Sequence, residues 1–173
     1  MSLSANLLDL TQLLLNEEGR LPTGAVRRRS VSTAYYALFH RLSGLCASQL
    51  IGTPEATPIY WRAYRALDHG QIKQALTSSD EFRTSLGAVF VELQDIREWA
   101  DYSCALHHNE QNAEARKHFT NGEAHECVQL ARQAIATIDG LDRPAKRRLA
   151  TLMLVRDRRS TPKKKAPHAR PPA

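Results

Sequence analysis

The chain has 173 residues, 42% apolar, 24% charged and 6% aromatic, enough for one domain whose buried core needs neither disulfides nor a metal to hold it. Its formal charge of +6 is unevenly spread: Met1 to Asp142 holds 13 basic and 17 acidic side chains, net −4, whereas Arg143 to Ala173 holds 11 basic and one acidic, net +10. This excludes a fold that is itself a generally basic nucleic-acid binder, and the lack of any run of about 18 apolar residues excludes a membrane-spanning helix.

The first helix is predicted over Ser4 to Glu18, striped by Leu7, Leu8, Leu10, Leu13, Leu14 and Leu15 and stopped at Gly19 and Pro22. A second is predicted over Ala25 to Leu50, where Val31, Ala34, Tyr35, Leu38, Phe39, Leu42, Leu45 and Cys46 recur at helical spacing, and Gly52 and Pro54 close it. A third is expected from Ala56 to Ser78 through Tyr60, Tyr64 and Leu67, with Gly70 weakening its middle. Ser79 or Asp80 can cap a fourth that reaches Tyr102. The polar, His-rich stretch from Ser103 to Phe119 reads as a long loop with at most a helical turn. Asn121 is expected to cap a last core helix from Gly122 to Ile138, ended by Gly140. No proline falls between Pro58 and Pro144, and β-branched runs are scarce, so the fold class is all-α, five amphipathic helices making a helical bundle. Its domain is expected over 1–142. The remaining 143–173 is expected to be a basic tail, with room for a short amphipathic helix at 144–155 and a Lys/Arg/Pro-rich, disordered end.

At the second helix the sequence resembles a known family. Arg29-Ser-Val-Ser-Thr-Ala-Tyr35-Tyr36-Ala-Leu-Phe39-His40 is similar to the AYYA-x-FH helix of small stand-alone HEPN-domain proteins. Leu93-Gln-Asp-Ile-Arg97-Glu-Trp-Ala100-Asp101-Tyr102 resembles that family's R-x-x-A-D-Y segment, and Glu123-Ala124 with Leu130-Ala131-Arg-Gln-Ala134-Ile135 resembles its closing helix. The landmarks keep the family's order across roughly Leu7 to Leu141. The resemblance implies an up-and-down bundle of four or five helices, usually a homodimer or a partner of a small nucleotidyltransferase-fold antitoxin. It also implies toxin–antitoxin or anti-phage work, in many relatives as a metal-independent ribonuclease acting on RNA. Those relatives use an Arg and a following His with four to six residues between them. Here Asp101-Tyr102 stands where that His would follow Arg97, and the next histidines are His107 and His108. Arg62 and His69 match the spacing formally, but away from the family's position and in a chain rich enough in Arg to produce it by chance.

On a helical wheel Leu86, Val89, Phe90, Leu93, Ile96 and Ala100 fill an arc of about 120°, and Arg97 falls inside it, with Asp101 at its edge one turn on and Trp99 opposite. A core-facing guanidinium needs a partner, and Asp101 is placed to be one. Two readings follow: a structural ion pair that fixes helix packing, or a cleft in which Arg97 holds a phosphate while Tyr102 stacks on a base or donates a hydrogen bond. The second helix adds a mixed stripe of Arg29, Thr33, Tyr36 and His40, suited to a protein or nucleotide contact, in which His40 is a candidate acid or base. The catalytic candidates are therefore Arg97, Asp101, Tyr102 and His40, and the partner-binding candidates Arg29, Tyr36 and His40. In the tail, Arg156, Arg158, Arg159, Lys163, Lys164 and Lys165 suit RNA or another polyanion without sequence preference, or serve solubility alone. Cys104, His107, His108, His118, His125 and Cys127 fit no zinc spacing, so no metal is assigned, and no cofactor motif is present. Three isolated cysteines, Cys46, Cys104 and Cys127, and no basic side chain before Arg20 point to a cytoplasmic protein without a secretory leader.

Overall fold

The computed structural model describes residues 2–52, 57–102, 107–109, 112–116 and 119–155. Within them the fold is all-α. Its helices in chain order are α1 (Leu3–Asn16), α2 (Thr23–Ile51), α3 (Pro58–Tyr64), α4 (His69–Thr77), α5 (Ala88–Tyr102), α6 (Asn121–Gly140) and α7 (Arg143–Leu154). No helix among the described residues is long and apolar enough to cross a membrane.

α2 is the axis of the bundle. At 29 residues it spans about 43 Å, and it packs against α1, α3, α5, α6 and α7. That position explains its composition. Val31, Tyr35, Leu38, Leu42 and Leu45 are buried on one side, and Ser30, Ser32, Thr33 and Ser43 are buried on others. Small side chains there let neighbouring helices approach its backbone, and Ser4 of α1 donates to the Ala37 carbonyl at 2.9 Å. Gly52, at φ +82°, ends the helix in a conformation that glycine reaches without strain.

The third predicted helix is two. α3 ends at Tyr64, Leu67 turns into the core, and Asp68 caps α4 by accepting from the Gln71 amide at 2.7 Å. Gly70 therefore lies in the first turn of α4 instead of weakening the middle of a longer helix. The start expected at Ala56 lies outside the described residues. Ser79 Oγ accepts from the Phe82 amide at 3.3 Å, as an N-terminal cap should. A π-helical turn over Arg83–Gly87 then leads into α5. Gly87 lets α4 approach closely there: a Cβ at this position would stand 3.1 Å from the Leu76 carbonyl oxygen, tighter than an ordinary contact.

The expected loop from Ser103 to Phe119 contains a short antiparallel ribbon, β1 (His107–Asn109) with β2 (Asn112–Arg116), in which His107 lies opposite Arg116. The α6 cap is Thr120, one residue earlier than expected. It forms a reciprocal capping box with Glu123. α7 begins at an Asp142 cap with Pro144 in its first turn. It is more than a helix docked beyond the domain. Leu149, Ala150 and Met153 belong to the same core cluster as Tyr35, Leu38 and Phe90, and Gln71 of α4 donates to the Met153 carbonyl at 2.6 Å.

Candidate functional site

The wheel argument about Arg97 has a direct structural counterpart. Its side chain is 12% exposed, and Nε lies 2.8 Å from Asp101 Oδ2, one turn along α5. The contact is an ion pair more than an aligned hydrogen bond, because this N–H does not point at the carboxylate. A second donor, Nη2, is hydrogen-bonded to the Tyr36 hydroxyl. Three phenol rings surround the guanidinium, with Cζ 5.0 Å from the centroid of Tyr36, 5.3 Å from Tyr102 and 5.9 Å from Tyr35. The charge is thus balanced by one carboxylate and by π faces, an arrangement that tolerates a partly buried cation.

Tyr36 and His40, read as members of an outward stripe on α2, face this cluster. Both are half-buried, while Arg29 of the same stripe is exposed and Thr33 is fully inside. The mixed stripe therefore divides into a core hydroxyl, a surface Arg and two residues of the site. Tyr102 stands at the rim, 71% exposed. Trp99, placed opposite the apolar arc, is instead packed edge-on against Phe119 at 4.0 Å between ring centroids, beneath the guanidinium of Arg28.

His69 is the residue that sequence reasoning set aside. As the first residue of α4 it reaches the same two tyrosines as Arg97. Its Nδ1 is 2.6 Å from the Tyr35 hydroxyl, and its ring centroid is 6.2 Å from that of Tyr36 and 4.4 Å from that of Phe39. His40 makes a parallel arrangement, with Nδ1 2.8 Å from the Tyr64 hydroxyl. Arg97 and His69 stand 28 residues apart in the chain, yet both border the Tyr35–Tyr36 pair.

The electrostatics keep both imidazoles neutral. Burial, and then the nearby Arg97 charge, push His69 below its ordinary value against the opposite pull of Asp68 and Glu98. Burial, and then His69, push His40 down. Burial holds the Tyr35 phenol well above its ordinary value and pushes Tyr64 up to about 12, so both remain protonated. Tyr35 is fully buried, so its proton needs a protein acceptor. Nδ1 of His69 serves, which leaves the imidazole proton on Nε2 and makes that nitrogen a donor.

A pH dependence follows. The unfolded chain takes up protons near the ordinary imidazole value of about 6.5, whereas the folded chain resists protonating His40 and His69. Stability contributed by the neutral rings is therefore present above pH 6.5, is lost as pH falls below it, and stops declining once the folded imidazoles are themselves protonated. Thermal melts should show a lower midpoint at pH 5 than at pH 7.5, with the difference reduced in His69→Gln. Equal differences in wild type and variant would remove His69 from this account.

The remaining candidates are elsewhere. Cys46 and Cys127 are buried, and burial pushes each thiol up to about 12, so neither presents a thiolate to a metal at neutral pH. His125 Nδ1 lies 3.0 Å from the Asn121 carbonyl. Cys104 and the six tail cations Arg156, Arg158, Arg159, Lys163, Lys164 and Lys165 lie outside the described residues, as do the side chains of His107, His108 and His118. No protein-family model, curated protein or solved structure matches this chain.

Proposed function

We propose that this is a HEPN-like, RNA-directed protein of toxin or phage-defence type, acting as a metal-independent endoribonuclease. The observation that carries the reading is the meeting of Arg97 and His69 on one tyrosine pair. The imidazole that does not follow Arg97 in the chain is supplied beside it by α4. In this reading the guanidinium donors not turned to Asp101 and Tyr36 hold the scissile phosphate and stabilise charge developing at phosphorus. Nε2–H of His69 adds a neutral donor, His40 serves proton transfer from the next turn of α2, and Tyr102 covers the rim as a stacking surface.

The test is cleavage of structured and unstructured RNA by the purified chain in excess chelator. Cleavage should survive removal of divalent metal. Because the imidazoles work in their neutral form, the rate should be level near neutral pH and fall on a limb below about 6.5. RNA left intact under these conditions, with and without the product of the neighbouring gene, would end the nuclease reading.

A second reading, a non-catalytic HEPN module binding a nucleotidyltransferase-fold or other protein partner, is favoured by α1. While Ser4, Leu8, Thr11 and Leu15 are buried against the bundle, Leu3, Leu10 and Leu13 are exposed and Leu7 and Leu14 are half-covered. Leu3, Leu7, Leu10 and Leu14 repeat at alternating spacings of four and three, the pattern of a helix–helix seam. Light scattering should give a dimer mass for the chain alone, and Leu10→Glu should reduce it to a monomer. A wild type that stays monomeric when alone would leave this face to a different partner.

A further inference from the structure

The outer face of α3 is both aromatic and basic. On a wheel of about 100° per residue, Trp61, Arg65 and Arg62 fall within about 100° of one another. Tyr60 and Ala63 lie on the far side, buried against Ala47 of α2. Trp61 is 43% exposed, and Arg62 and Arg65 are exposed. Neither Arg has an acidic partner among the described residues, and α3 itself contains no acidic residue. An exposed indole beside two unneutralised guanidiniums lacks the opposite charges that an ordinary solvated helix face carries.

The indole is also the outer end of a line of rings. Trp61 lies 5.3 Å from Tyr64 between centroids, Tyr64 is stacked on His40 at 5.8 Å with 18° between planes, and His40 lies 6.3 Å from Tyr36. Tyr36 holds Arg97.

We propose that the Trp61–Arg62–Arg65 face binds single-stranded nucleic acid, with a base stacked on the indole and the flanking phosphates held by the two guanidiniums. Unpaired bases offer π faces that an indole accepts regardless of sequence, and the adjoining phosphates supply the charge that Arg62 and Arg65 lack. A duplex, whose bases are already stacked on one another, offers only the phosphates. The surface itself stands on the geometry of α3. That it feeds a strand along the rings toward Arg97 rests on the nuclease reading above.

Fluorescence anisotropy of the full chain tests this with labelled oligouridylate, oligothymidylate and a duplex, each about 12 nucleotides long, within the range of known single-strand sites. Oligothymidylate lacks the 2′-hydroxyl and so reports binding without cleavage. Trp61→Ala should weaken both single strands by about tenfold, the scale of losing one base–aromatic stack, and leave the duplex nearly unchanged. Trp61→Phe should recover much of the loss, and Arg62→Gln with Arg65→Gln should flatten the salt dependence of single-strand binding by about 1.4 in log–log slope. The basic tail acts on every probe alike, so the single-strand-to-duplex ratio is the readout. An unchanged ratio in Trp61→Ala would overturn the proposal. Loss of self-association in that variant with the ratio intact would also overturn it, and would assign the face to protein contact. Cleavage by a wild type whose binding ignores Trp61 defeats the surface and spares the nuclease. Trp61-dependent single-strand binding without cleavage does the reverse.

Discussion

Arg97→Ala is expected to reduce RNA cleavage by about a hundredfold or more, the scale of removing one preorganised donor from a developing anion. It should also loosen the bundle. The guanidinium pairs with Asp101, binds the Tyr36 hydroxyl and fills the space between three rings. Breaking a fully buried pair costs about 3–5 kcal/mol. The Asp101 side chain keeps 23% of its surface exposed, through which it can rehydrate, so about 2 kcal/mol is the expected loss on that scale. Arg97→Lys separates the two effects. It keeps a charge for Asp101 but loses the planar fork, so it should regain part of the stability and little of the activity. Asp101→Asn should be mild in cleavage unless that carboxylate takes the proton. A melting curve and a chelated RNA digest on all three variants decide the matter. Full activity in Arg97→Ala would reduce the residue to a packing role.

The second large effect concerns α7. A chain ended at Asp142 is expected to lose cooperative folding, because Leu149, Ala150 and Met153 leave the core they share with α2 and α4. Leu149→Ala alone should cost about 2–5 kcal/mol, the usual range for a buried leucine whose site collapses only in part. Removing 156–173 instead takes away seven basic side chains and one acidic one, but no apolar cluster, and the melting midpoint should stay in place. Chemical denaturation of the three chains checks this, and a stable, cooperative 1–142 fragment would contradict the core assignment.

Much of the helical frame was legible because local signals agree with the tertiary result. Glycine and proline mark the ends of α1 and α2, and Gly140 ends α6. Arg97 and Asp101 were legible as a pair for the same reason, since a four-residue spacing puts them together on any helix. What escaped was tertiary. Trp99 lies off the main apolar arc, yet Phe119 returns to cover it. His69 reaches the tyrosine pair that Arg97 borders only because the chain breaks between Tyr64 and His69. The signal was present in Asp68-His69-Gly70-Gln71, a cap followed by a first turn, but Leu67 and Ile72 continue the apolar pattern through it. The charge balance misled in another way. Averaged over Met1 to Asp142 the chain is acidic, and the average hides a three-residue basic and aromatic face at α3.

The seat of α4 on Gly87 gives the site a mechanical basis. α4 is a nine-residue strut, about 13 Å long. Leu76, at one end, rests against a glycine where a methyl group would push its carbonyl aside by a few tenths of an ångström, and His69 is at the other. Whatever shifts the seat shifts the imidazole. The spacing between His69 and Arg97 is therefore set at the far end of the strut, by the π-helical turn that begins the very helix carrying Arg97. The two halves of the site share one foundation, and a strain applied there changes their separation without touching either of them.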